Sequence, residues 1–219
     1  MNYKGVIFDF NGTLFWDTQY HNQAWNEFLM IHNIQLTDDQ SIRKVLGRTN
    51  QDILRGIIHR ELSEKEISSL SMEKELLYQK ICLKSKMELA SGATDLFRLL
   101  MAKKIPFTIA TASGRENIDF YFEHLALGKW FNYDKVVYND GSFRGKPHPD
   151  IFLLAVEKLK MAPKDIIVFE DSYAGIQAAE YAGVGKIFIV NSNNADYHAW
   201  SYDIITNFNQ VDRKLFADI

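Results

Sequence analysis

Four short segments hold the side chains of this chain that could do chemistry together. Asp9-Phe10-Asn11-Gly12-Thr13 follows an apolar run and offers a carboxylate, an amide and a glycine turn. Ile109-Ala110-Thr111-Ala112-Ser113-Gly114 ends an apolar run in hydroxyls. Gly145-Lys146-Pro147-His148-Pro149-Asp150 sets a lysine in a turn ahead of a helical pattern. Ile166-Ile167-Val168-Phe169-Glu170-Asp171-Ser172 ends another apolar run in two carboxylates. A carboxylate can attack phosphorus and form an aspartyl-phosphate. Its charge must first be offset against the phosphate dianion. A hard cation does this with oxygen ligands, and Mg²⁺ takes one or two carboxylates while keeping several waters. Asp9 and Asp171 fit that role, with Glu170 in reach of a metal-bound water. The phosphoryl oxygens need donors and positive charge. Thr111 offers a hydroxyl, the turns after Asp9 and Thr111 (through Ala112 and Ser113) offer backbone N–H groups, and Lys146 offers charge.

Such residues work together only if the fold gathers them. The apolar runs Gly5 to Phe8, Phe107 to Thr111, Val136 to Tyr138, Ile166 to Phe169 and Lys186 to Val190 have strand length and β-forming composition. Helical patterns separate them from Ala93 onward: Ala93 to Lys103, Asp150 to Leu159 and Ala174 to Ala182. This alternation predicts an α/β fold, a Rossmann-like parallel sheet with helices on both faces. Strand C-termini share one edge of such a sheet, and ligands bind there. One interval breaks the rhythm. No second strand is predicted between Asp9 and Phe107; the stretch from about Thr18 to Lys86 reads as helices. Ala24, Trp25, Phe28 and Leu29 form one apolar stripe, and Ile53, Leu54, Ile57 and Ile58 another. The dense charge of Glu61 to Glu75 suggests solvated faces. The expectation is a core of residues 1–15 and 88–219 carrying an all-helical cap of residues 16–87.

Composition narrows the class. A 219-residue chain that is 47% hydrophobic can build a sizeable core. No apolar stretch approaches the roughly 20 residues of a membrane helix, and the N-terminal residues show no signal-peptide pattern. The single cysteine, Cys82, fits a reducing compartment. A net charge of −3 gives no bulk attraction to nucleic acid or anionic membrane. A soluble, cytoplasmic protein acting on a small molecule is expected, of unassigned oligomeric state.

Taken singly, each segment has an ordinary structural reading. Asp9 to Thr13 could be a turn with a helix cap. Thr111 or Ser113 could cap the next helix, Lys146 could sit on the surface, and Glu170-Asp171 could cap the helix after it. Their occurrence together and in order favours the phosphate site. The same four motifs resemble those of haloacid dehalogenase-like phosphatases over nearly the whole chain. The resemblance implies Asp9 as nucleophile, Thr111 as phosphate-binding hydroxyl, Lys146 as charge-stabilising lysine, and Asp171 as a Mg²⁺ ligand. It implies that Asn11 lends its backbone carbonyl to the metal. The helical insert resembles the small cap of the subgroup containing β-phosphoglucomutases and phosphoglycolate phosphatases. Two longer matches, Asp17-Thr18 with Tyr20-His21 and Ala24-Trp25, and Glu170-Asp171-Ser172 with Ala174-Gly175-Ile176-Gln177-Ala178, resemble the mutase-like branch.

Asn11 departs from the pattern, which has a second aspartate there. That aspartate protonates the leaving oxygen and then activates water; an amide cannot. Three explanations compete: an engineered trap, substrates with good leaving groups, or proton transfer by His21. Arg48 stands in a cap loop where mutase-like proteins grip a distal phosphate, but out of register, with Asn50 at the expected place. Arg48 reads equally as a surface arginine, His21 as an interhelical histidine, and Trp25 as core rather than a substrate platform. The favoured activity is Mg²⁺-dependent phosphohydrolysis of a small metabolite. A β-phosphoglucomutase-like isomerase and an impaired phosphate-ligand binder are the alternatives.

Overall fold

The computed structural model describes residues 3–36 and 49–216. Among these, six parallel strands form one sheet in the order β3-β2-β1-β4-β5-β6. They are β1 (Gly5–Phe8), β2 (Phe107–Gly114), β3 (Val137–Asn139), β4 (Ile166–Glu170), β5 (Lys186–Val190) and β6 (Asp203–Ile205). Alternate side chains along each strand feed opposite faces. Val6 and Phe8 of β1 join Ile167, Phe169, Phe188 and Val190 in one core. Ile7 joins Ile166, Val168 and Ile187 in the other. Burial on both faces explains why these strands read as unbroken apolar runs. Phe8, Phe169 and Phe188 lie side by side across β1, β4 and β5, their rings stacked at 5.1 and 5.0 Å. A one-residue slip would turn that row to the other face.

From β1 the chain builds β2 and β3 on one side, then crosses to β4, β5 and β6 on the other. β1 and its neighbours therefore border the switch point, the crevice where parallel sheets bind ligands. Helices α4 (Ala93–Ala102), α5 (Arg115–His124), α6 (Asp150–Leu159) and α7 (Tyr173–Tyr181) occupy the crossovers on this core.

Helices α1 (Thr18–Ile31), α2 (Asn50–Ile57) and α3 (Glu64–Leu83) follow β1. Trp25, Phe28, Leu29, Ile53, Leu54, Ile57 and Ile67 form an apolar core of their own. Ser63 and Glu66 start α3 with a reciprocal capping box, and the Thr49 side chain caps α2. We propose on this layout that residues 16–87 form a cap inserted into the core of 1–15 and 88–219. Ile58 is the extended residue that ends α2. The sixth strand, β6, lies outside the expected set: it has three residues, two of them exposed, so it makes no apolar run. No helix among the described residues is long and apolar enough to cross a membrane.

Candidate active site

Asp9 leaves β1 tied to β4, its backbone N–H donating to the Phe169 carbonyl at 2.9 Å. The chain then turns sharply at Gly12, where φ is +77°. A Cβ at Gly12 would lie 2.1 Å from Asp171 Oδ2, so a side chain there would strain the backbone and collide with Asp171. The loop can thus press against the end of β4, where Thr13 Oγ1 donates to Asp171 Oδ1 at 3.2 Å.

Lys146 joins these ends. Its ammonium donates to Asp9 Oδ1 at 2.6 Å and Glu170 Oε2 at 2.7 Å, and the residue is 4% exposed. The surface reading of this lysine does not hold. Nor does Glu170 serve as the cap of α7; Ser172 does, accepting from the Gly175 N–H. Glu170 Oε1 instead accepts from the Ser172 hydroxyl and from the backbone N–H groups of Asp171 and Ser172. Gly175 allows this, since a Cβ there would lie 2.0 Å from the Glu170 carboxyl carbon.

Three carboxylates therefore crowd one lysine in a buried pocket. Burial, then the neighbouring Glu170 charge, pushes Asp9 up to about 7 against the pull of Lys146. Burial and the same carboxylates also raise Asp171 well above the usual range. Burial opposes the Lys146 charge, but Asp9 and Glu170 outweigh it and raise its pKa. Asp9, Glu170 and Asp171 each offer an oxygen, all within 4.8 Å of one another. Hard oxygen donors with excess negative charge fit a divalent cation such as Mg²⁺.

Opposite them, Thr111 of β2 accepts from the Ser113 N–H at 3.1 Å. Neither Thr111 nor Ser113 caps α5; Gly114 precedes that helix without a side-chain cap. Both hydroxyls donate to Asn11 Oδ1, at 3.3 Å from Thr111 and 2.7 Å from Ser113. Asn11 Nδ2 donates to Asp17 Oδ2 at 2.6 Å and to the Tyr121 hydroxyl at 2.7 Å.

Position 11 is thereby linked to the helices after β1. Tyr121 of α5 donates to the Tyr78 hydroxyl of α3 at 3.0 Å, and Tyr78 donates to Asp17 Oδ2. His21 stacks on the Tyr78 ring at 3.9 Å, with Nε2 3.4 Å from Asp17 Oδ2. Lys74 Nζ lies 2.8 Å from His21 Nδ1 and 2.9 Å from Glu75 Oε1. Asn50 and Asn117 donate to the two Glu75 oxygens at 2.5 and 2.6 Å. Burial opposes the Glu75 charge, yet Lys74 and these amides hold its pKa down to about 2. Lys74 is 1% exposed, so the charged stretch read as solvated turns part of itself inward.

A cavity of about 550 Å³ opens between the sheet edge and these helices. It brings together Asp9, Asn11, His21, Asn50, Thr111, Ala112, Ser113, Lys146, Glu170 and Asp171. Arg48 lies outside the described residues. Trp25 is core, 2% exposed, although it borders the cavity. Sequence reasoning missed the polar roles of Tyr78 and Tyr121, the buried Lys74–Glu75 pair and Asn117. Asp17 was visible only as part of a longer match.

The chain is similar over most of its length to known proteins. A family model described as haloacid dehalogenase-like hydrolase matches residues 3–183. Fructose-1-phosphate phosphatase YqaB of Escherichia coli is 30% identical over 185 residues, covering 84% of this chain and 95% of that one. The phosphorylated carbohydrates phosphatase of Thermotoga maritima is 26% identical over 196 residues and covers 87% of each chain. The crystal structure of a family IA, variant 3 hydrolase from Entamoeba histolytica superposes with a TM-score of 0.87. It is 35% identical and covers 99% of this chain and 97% of that one.

Proposed function

We propose, for a chain that belongs to the haloacid dehalogenase-like hydrolases and is a phosphatase of that family, a specific assignment of roles. Asp9 attacks the phosphorus of a small phosphorylated metabolite and carries the phosphoryl group as an aspartyl-phosphate, which water then hydrolyses. The observation that carries this reading is the convergence of the Asp9 carboxylate, the Thr111 hydroxyl and the Lys146 ammonium on one cavity beside Glu170 and Asp171.

Each residue has a physical part. Lys146 holds Asp9 Oδ1 and fixes the direction of its carboxylate. The Ala112 backbone N–H is a donor for the phosphoryl oxygens, and the Thr111 and Ser113 hydroxyls would join it by turning away from Asn11 Oδ1, to which they donate in this structure. Mg²⁺, held by Asp9, Asp171 and the Asn11 carbonyl with Glu170 on a bound water, would neutralise charge between nucleophile and phosphate. The helices over the cavity admit a small metabolite and limit water around the reacting group. Relatives named for fructose 1-phosphate and phosphorylated carbohydrates place sugar phosphates among the compounds to try.

Phosphate release from a panel of sugar phosphates, acyl phosphates and pyrophosphate, with Mg²⁺ and with chelator, tests the reading. Metal-dependent release from at least one class is expected. No release from any compound, with metal-dependent ligand binding retained, would instead establish a binder. Interconversion of sugar phosphates without phosphate release would establish an isomerase.

A further inference from the structure

We infer that the site is built for phosphate carried on a weakly basic oxygen, as in an acyl phosphate or a phosphoanhydride, rather than on an ordinary alcohol. This rests on the phosphoryl-transfer reading above. In-line displacement sets the attacking and leaving oxygens on opposite sides of phosphorus. Asp9 stands at the sheet edge, so the leaving oxygen faces the helical side of the cavity. Of the groups linked to position 11 there, Tyr121 spends its proton on Tyr78, which leaves Asn11 itself, Asp17 and, against Asp17, His21.

None of the three directs a proton into the cavity. The Asn11 amide spends both N–H groups on Asp17 and Tyr121, and its oxygen accepts from Thr111 and Ser113. Its orientation is fixed, because a flipped amide would set oxygen against the acceptor-only Asp17 carboxylate. Asp17 accepts from the Gly12 N–H at Oδ1, and from Asn11 and Tyr78 at Oδ2. Lys74 is donor-only, so His21 Nδ1 accepts from it and the ring proton sits on Nε2, facing Asp17. The explanation that His21 protonates the leaving group therefore loses its geometry. Lys146 is already shared between Asp9 and Glu170.

A leaving group that departs as a stable anion needs no proton. An Asp9 oxygen bonds to phosphorus as the bond from phosphorus to the leaving oxygen breaks, and the electron pair leaves as carboxylate or phosphate anion. Water then bonds to phosphorus, the bond to Asp9 breaks, the carboxylate is regenerated, and the proton from water departs with inorganic phosphate or to solvent. The aspartyl-phosphate is itself an acyl phosphate, so its carboxylate also leaves without protonation.

The test is kcat/KM for acetyl phosphate and a series of para-substituted phenyl phosphates with Mg²⁺. This parameter reads the transfer to Asp9, even if later hydrolysis is slow. The expected result is turnover of acetyl phosphate and a steep fall in kcat/KM as the phenol becomes more basic. Asn11→Asp should flatten that fall, gaining on the order of 10²–10⁴ at the most basic phenol and little at the least. A flat wild-type series that includes an alkyl phosphate would overturn this inference alone. No transfer from any compound, acetyl phosphate included, would overturn the phosphoryl-transfer reading with it.

Discussion

Replacing Asn11 by aspartate tests the surroundings of that residue as well as its chemistry. The substitution exchanges Nδ2 for an oxygen 2.6 Å from Asp17 Oδ2 and 2.7 Å from the Tyr121 hydroxyl. Two unit charges at 2.6 Å repel by about 6 kcal/mol at an effective dielectric constant of about 20, roughly 10⁴ in proton affinity. The pair therefore keeps one proton through neutral pH. A single proton replaces the two N–H groups of the amide, so one of the two acceptors loses its donor, at about 1–3 kcal/mol. The pair's folded pKa is raised above its unfolded value. Its stability is thus present at low pH and lost as pH rises through the folded value. The introduced group meets Asp17 and Tyr121 directly, and Tyr78 and His21 lie against Asp17. Thermal denaturation of both proteins without metal, at pH 5 and pH 8, reads the difference. The variant should be less stable at both, and the gap should widen at pH 8. A gap that stays constant or narrows would refute the placement of residue 11 against Asp17.

Further outcomes follow from the same contacts. In the metal-free protein, the part of stability linked to Asp9 should decline as pH rises from its ordinary value of 3.8 to about 7, because its folded pKa is the higher one. Mg²⁺ affinity, read by calorimetry, should strengthen across that interval as protons are displaced. Lys146→Met leaves Asp9 and Glu170 buried without their cation and should cost about 3–5 kcal/mol in denaturant unfolding, partly recovered on adding Mg²⁺. Gly12→Ala forces a Cβ onto Asp171 and should weaken Mg²⁺ binding more than it lowers Tm. Asn117→Ala removes a donor from Glu75 and should cost about 1–3 kcal/mol. Because the Glu75 pKa is held down to about 2, stability tied to it should fade as pH drops from 4.5 toward 2.

Much of the core was legible because its strands are buried on both faces. Gly5 to Phe8, Ile166 to Phe169 and Lys186 to Val190 leave apolar runs that have no other use. Site residues at their ends followed from the geometry of parallel sheets. β6 was hidden because an edge strand with exposed Asp203 and Ile204 carries no such run. Tyr78 and Tyr121 were hidden for another reason. Each sits on a helix where an aromatic ring reads as core, and the ring is core; its hydroxyl end makes the polar contact. Lys74 and Glu75 looked solvated because helix patterns do not show which charges find buried partners. Asn11 was visible as a departure, but its four hydrogen bonds come from residues up to 110 positions away.

The central claim is a covalent intermediate on Asp9. Borohydride reduction of the protein during turnover of acetyl phosphate, followed by peptide mass spectrometry, tests it directly, since reduction of an aspartyl-phosphate leaves homoserine in place of the aspartate. The account predicts homoserine at position 9, dependent on Mg²⁺ and on the phosphate donor, and none in an Asp9→Asn variant. Sustained phosphate release with position 9 unmodified, or modification at another carboxylate, would contradict it.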